Sequence, residues 1–128
     1  MKRLVALSLG LLTAGVLSTM AVADTDTERK GSIQKGAAHY RIFCINCHGV
    51  EVDGNGPLTE LLKIKPANLT TLARSLKEGE TIATRVFNAV DGRHQVGEGQ
   101  ERKMPTFNDN LEVRTVIEIS AFIEAVQK

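Results

Sequence analysis

The chain has 128 residues and a formal net charge of +1, with two cysteines, three histidines, three methionines and no tryptophan. This length suits one small domain, and so even a charge balance excludes a protein that binds nucleic acid through a strongly basic surface. Two cysteines cannot build a dense disulfide scaffold, and 4% aromatic residues make a thin core, so something besides side chains is expected to fill the interior.

Lys2 and Arg3 open the chain, residues 4–17 are almost wholly apolar, and Ala21-Val22-Ala23 supplies small residues at the end of the run. This pattern predicts a secretory signal peptide over residues 1–23, with export to the periplasm. The competing reading is an uncleaved anchor, because residues 4–23 are about long enough to span a bilayer. No cysteine lies beside the cleavage site, which excludes a lipoprotein. Removal of residues 1–23 changes the net charge to −1 and leaves Met104 as the single methionine, beside His39, His48 and His94.

Residues 24–30 read as a polar tail and residues 31–128 as the domain. Ser32 is the expected N-cap of a helix over 33–43, with Ile33, Ala37 and Tyr40 on its apolar side. A glycine inside that helix, Gly36, costs about 1 kcal/mol relative to alanine unless another helix comes close there. The expected partner is a C-terminal helix over 112–127, whose apolar stripe is Val116, Ile119, Phe122, Ile123 and Val126. Between them, Gly54, Gly56 and Pro57 form a turn, residues 58–63 a short helical turn stopped by Pro66, and residues 80–90 a third helix closed by Asp91-Gly92. Residues 93–103 form a long polar loop leading into Met104-Pro105. No strand alternation, internal repeat or low-complexity tract is present.

The chemistry is concentrated in Cys44-Ile45-Asn46-Cys47-His48. Two cysteines two residues apart and followed at once by histidine form the attachment signature of c-type haem. Each thiol adds to one vinyl group of the porphyrin, and the short loop turns His48 under the iron as proximal ligand. Three other readings compete. A redox-active disulfide of the thioredoxin kind would place a strand before the motif, where this sequence has a helix. A zinc site lacks further ligands at suitable spacing, and a plain disulfide across two residues is strained and gives His48 no role.

The mature chain resembles the class I c-type cytochromes along nearly its whole length. The resemblance is carried by Gly36 and Tyr40 before Cys-x-x-Cys-His, Gly49 and Gly54-Asn55-Gly56-Pro57 after it, Lys65-Pro66-Ala67-Asn68-Leu69, Met104-Pro105 with Phe107, and Phe122. It implies an all-α fold of three to five helices around one covalently bound haem, which supplies the missing core. Phe122 would pack on the glycine of the first helix, and the carbonyl of Pro57 would accept a hydrogen bond from the far nitrogen of His48. Glu112 stands where members often open the last helix with Ser, Thr or Asp, so the cap is expected to shift to Asp109 or Asn110.

Met104 is the candidate sixth ligand, as the only thioether left after processing, with His94 or an open position as alternatives. His/Met ligation predicts a relatively high reduction potential and an electron carrier rather than an enzyme. The rivals are a haem enzyme or gas sensor with a displaceable sixth ligand, and a cytochrome subunit of a larger oxidoreductase. Redox proteins are the expected partners, in transient complexes of small area, with the chain itself a monomer and no small-molecule substrate. Lys63, Lys65, Arg93, Arg102 and Lys103 are candidates to steer such a partner, with an ordinary solvated surface as the equal alternative because Glu98, Glu101 and Asp109 lie among them. The Gly54-x-Gly56 and Gly97-x-Gly99 pairs lack the context of a dinucleotide loop, and His39 is expected at the surface rather than on a metal.

Overall fold

The computed structural model describes residues 20–63, 65–92, 104–107 and 111–128. The segment 93–103 with His94, the Asp109 and Asn110 cap candidates, and the apolar run before Met20 lie outside the described residues. Among the described residues four α-helices are formed: α1 (Met20–Phe43), α2 (Ile45–His48), α3 (Ile82–Asp91) and α4 (Val113–Ala125), with 3-10 helices at Thr59–Leu61 and Leu69–Ser75. No strand occurs among the described residues, as an all-α cytochrome-like fold requires. None of the described helices is long and apolar enough to cross a membrane.

Helix α1 starts well before Ser32, which lies inside it rather than at its N-cap. Residues 24–30 contain neither glycine nor proline, and a helix nucleated elsewhere extends readily through such a segment because each added residue gains a backbone hydrogen bond. The side chains of residues 25–30 are exposed, so this extension is held by backbone bonding rather than by packing.

The packed half of α1 lies on α4. A Cβ on Gly36 would collide with the backbone carbonyl of Glu118 and come within 3.0 Å of Phe122 Cβ, so this glycine lets the two backbones meet. Four residues on, Tyr40 packs against Phe122 with ring centroids 5.2 Å apart. His39, also on α1, places Nε2 3.1 Å from Glu118 Oε2, a pairing that fastens the buried Glu118 to the crossing.

Helix α3 begins after Thr81, whose side chain accepts from the Thr84 backbone N–H, and ends at Gly92 with φ +95°, the left-handed conformation favoured at a helix C-terminus. Its Ile82, Val86 and Val90 interlock with Val116, Ile119 and Ile123 of α4 to form the core. Glu112 occupies the N-cap position of α4 but makes no side-chain cap bond. The helix stops before Gln127 because that side chain turns back, donating from Nε2 to the carbonyls of Ile123 and Leu69, each at 2.7 Å. Gln127 Oε1 also accepts from the Ala73 N–H at 2.9 Å, which ties the C-terminus to the second 3-10 helix.

Candidate functional site

Helix α1 ends at Phe43, and the Cys-x-x-Cys-His motif continues its direction as a single turn. The Cys44 N–H donates to the Tyr40 carbonyl at 2.8 Å, and the His48 N–H to the Cys44 carbonyl at 2.9 Å. A one-turn helix leaves its last carbonyls without helical partners, and the next segment folds back to supply them. The N–H groups of Gly54, Gly56 and Leu58 donate to the carbonyls of His48, Cys47 and Asn46. The approach is so close that a Cβ on Gly56 would strike the Asn46 carbonyl, which explains the glycine.

Tyr40 braces the same turn from beneath, its buried hydroxyl donating to the Gly49 carbonyl at 2.7 Å. Burial, assisted by the Cys44 and Asp53 charges, raises the phenol above its ordinary pKa. Val52, also buried, holds φ at +61°, an unusual conformation for a β-branched residue. Its carbonyl accepts from the Leu69 N–H at 2.9 Å and fixes the segment that forms the opposite wall.

Cys44, Cys47, His48 and Met104 line one cleft of about 300 Å3. Its other walls are largely apolar and include Leu69 and Leu72 of the second 3-10 helix, Val86 and Val90 of α3, and Ile119 and Ile123 of α4. Met104 reaches it on a segment anchored by the Phe107 N–H, which donates to the Val90 carbonyl at 2.8 Å, and by Phe107 packed edge-on against Phe43. The structure therefore brings together four of the five predicted site residues.

Pro57 is the exception. It is exposed and borders a separate surface recess with Val50, Glu51, Asp53 and Glu60. The partner of His48 Nδ1 is the carbonyl of Ala67, at 3.0 Å. The physical reason is the route of the chain: the 54–58 segment is bonded back onto the motif's own carbonyls, whereas 65–69 crosses the cleft and carries Ala67 to the imidazole. Asn68 holds that crossing, since its Oδ1 accepts from the Thr70 N–H at 2.9 Å and from Thr70 Oγ1 at 2.7 Å.

A carbonyl partner makes Nδ1 the protonated nitrogen and leaves Nε2 as the lone-pair nitrogen of a neutral imidazole. Burial lowers the His48 pKa, with the Ala67 hydrogen bond opposing it, so the ring is neutral and able to bind metal at neutral pH. Cys44 and Cys47 are free, half-buried thiols. Burial, helped by neighbouring Cys47, pushes the Cys44 thiol up to about 12, opposite to the depressed pKa of an attacking thiol in a redox-active disulfide. Two thiols, one imidazole and one thioether around an apolar cleft fit a covalently attached haem in both donor chemistry and polarity.

Arg85 and Lys65 also line the cleft, and sequence reasoning missed Ala67 and Arg85. The Lys65-Pro66-Ala67-Asn68 stretch carried a usable signal for the first, because proline forces an extended approach and Asn before a helical turn is a cap. For Arg85 the signal was its position one residue before Val86 on the edge of the apolar face.

These helices and this cleft define a small c-type cytochrome. Residues 31–123 match the family described as cytochrome C oxidase, cbb3-type, subunit III, and the chain belongs to that family. No curated protein and no solved structure matches the chain. Membership makes this a haem c protein with a role in electron transfer.

Proposed function

We propose that the protein carries single electrons on one haem c in the periplasm, to which residues 1–23 direct it, and that it is a carrier rather than an enzyme. The observation that supports this reading is the convergence of Cys44, Cys47, His48 and Met104 on one apolar cleft. Bound there, haem supplies a one-electron ferric/ferrous couple.

The chain's own residues hold that couple in place. Cys44 and Cys47 form the two thioether links, and their carrier turn is rigidified by the bonds from Gly54, Gly56 and Leu58. His48 would hold the iron through Nε2, while the Ala67 carbonyl accepts a hydrogen bond from Nδ1–H, which orients the ring and raises its basicity. Met104, which lines the same cleft, would hold the iron through a soft thioether that favours the ferrous state. With both ligands supplied by the protein, electron transfer would require no ligand to enter or leave. The exposed Leu61, Leu62 and Lys65 lie in the stretch leading to the cleft and suit a small, transient redox interface.

The test is a visible and near-infrared spectrum of the periplasmically expressed protein in both redox states. Low-spin ferric haem with the far-red sulfur-to-iron charge-transfer band is the expected result. High-spin ferric haem that binds carbon monoxide rapidly on reduction would overturn the carrier reading in favour of an enzyme or gas sensor.

A second reading is favoured by the family match: the chain serves as the cytochrome subunit of an oxidase complex. Solubilised membranes from the native cell decide this one. Stable co-purification with an oxidase supports the subunit, and recovery as a free protein in the periplasmic fraction supports the carrier.

A further inference from the structure

The Ala67 carbonyl, which accepts from His48 Nδ1–H, is carried on a stretch that its own side chains do not fix. Ala67 and Asn68 are exposed, and little stabilisation comes from side chains left in water. Gly54 lies beside this stretch, close enough that a Cβ there would strike the Pro66 carbonyl. Such a contact limits how near the stretch can come and exerts no pull on it. The attachments lie immediately downstream, where Leu69 is gripped on both sides. Its N–H donates to the Val52 carbonyl at 2.9 Å, and its carbonyl accepts from Gln127 Nε2 at 2.7 Å.

Gln127 follows the last turn of α4 and is half-buried. Its amide faces three backbone groups: Nε2 donates to the Leu69 and Ile123 carbonyls, and Oε1 accepts from the Ala73 N–H at 2.9 Å. Both amide hydrogens are therefore used, and the reversed amide would set an oxygen against two carbonyls. Ile123 belongs to α4, whereas Leu69 and Ala73 belong to the 3-10 helix Leu69–Ser75, so one side chain joins that helix to the core. The Lys128 N–H adds a bond to the Thr70 carbonyl at 2.8 Å, and the N–H and hydroxyl of buried Thr70 both donate to Asn68 Oδ1. Hydrogen bonds thus run without a break from the end of α4 to the residue beside Ala67. We infer that Gln127 is a positioning residue for His48: by clamping Leu69–Ser75 onto α4 it holds the Ala67 carbonyl within reach of Nδ1–H, and so lowers the reduction potential.

This inference rests on the haem reading above. A firm bond from Nδ1–H makes the imidazole more basic, and a more basic ligand favours ferric over ferrous iron. Without the clamp the Ala67 carbonyl is free to drift, the bond weakens, and the potential rises. Leu69 and Leu72 of the same 3-10 helix also line the cleft, so a potential by itself would not separate a moved wall from a moved carbonyl. Solvent exchange of the His48 Nδ1–H separates them, because it reports on that one hydrogen bond.

The experiment measures two quantities on the reduced, nitrogen-labelled holoprotein: the NMR exchange rate of the His48 Nδ1–H and, by spectroelectrochemistry, the midpoint potential. Wild type is compared with Gln127→Met, Gln127→Glu and Thr81→Ala. Gln127→Met keeps the length of the side chain and removes its hydrogen bonds. Its Nδ1–H should exchange about tenfold faster, the equivalent of one lost hydrogen bond, and its potential should lie above wild type. Gln127→Glu keeps an acceptor for the Ala73 N–H but has no donor for Leu69, and should move both quantities the same way. Thr81→Ala removes the cap of α3, so it costs stability on a different element and should leave both quantities at their wild-type values. Either quantity unchanged in Gln127→Met, or both changed equally in Thr81→Ala, would overturn the proposal. If neither Gln127 variant yields holoprotein, the wild type decides in urea below its unfolding transition. There the Ala73 N–H and the His48 Nδ1–H should open together, and opening of one without the other overturns the assignment. A wild-type protein without covalent haem is a separate result, which removes the functional reading first and this inference with it.

Discussion

His48 Nδ1–H donates a hydrogen bond to the backbone carbonyl of Ala67 across 3.0 Å, so the orientation of this imidazole is set by a residue 19 positions downstream. Ala67 is in turn held by Asn68, the cap of the 3-10 helix Leu69–Ser75. Asn68→Ala removes the acceptor for the Thr70 N–H and hydroxyl, and loss of a cap of this kind costs about 1 kcal/mol. The holoprotein should lose about that much in a denaturant titration, and its reduction potential should shift as the His48 hydrogen bond loosens. A potential identical to wild type would mean that Ala67 is fixed by other contacts.

Met104 is the only methionine beyond residue 20, which makes its substitution unambiguous. Met104→Ala should leave haem covalently attached, lower the potential, and allow the reduced protein to bind carbon monoxide rapidly. Haem-stained denaturing gels, potentiometry and flash photolysis read the three properties. Retention of the wild-type potential together with exclusion of carbon monoxide would assign the sixth position to another residue.

Gly36→Ala would ordinarily stabilise an α-helix by about 1 kcal/mol. Here the added methyl meets the Glu118 carbonyl and the Phe122 Cβ, so α1 and α4 must separate. The expected outcome is a destabilisation of about 1–3 kcal/mol, the range for overpacking a close contact, measured by chemical denaturation. A gain in stability would show that the crossing is looser than the structure has it.

What could be read from the sequence was short-range. The Cys-x-x-Cys-His spacing named the cofactor, Asp91-Gly92 closed α3, and Gly36 with Phe122 anticipated the helix crossing. The parts that escaped depend on distant partners or on competition between local signals. Ala67 displaced Pro57 because backbone hydrogen bonds fold the 54–58 segment back on the motif, a pairing between segments that the local signals at Gly56 and at Pro66-Ala67-Asn68 do not specify by themselves. The cap at Asn68 went unread because the 3-10 helix Leu69–Ser75 that it opens was not expected from the sequence. The pairing of His39 with Glu118 escaped because the two lie 79 positions apart. Ser32 was misleading since α1 continues through Gly31 and residues 24–30 past the expected cap.

Tyr40 provides the pH test, and the chain contains only one tyrosine. Its hydroxyl is buried and donates to the Gly49 carbonyl, and its pKa is raised in the folded state, chiefly by burial. The native state therefore keeps a proton that the unfolded chain releases near pH 10. This contribution to stability is fully present below pH 10 and is lost as the pH rises from there toward the folded-state value. Tyr40→Phe should cost about 0.5–1.5 kcal/mol at pH 7, the net worth of one hydrogen bond. It should also abolish this alkaline component, so that wild type and variant converge in stability above pH 10. Carbon NMR of the Cζ atom in selectively labelled protein reads the ionisation directly. A folded-state titration midpoint near 10 would show that the hydroxyl is open to solvent and that the Gly49 bond does not form.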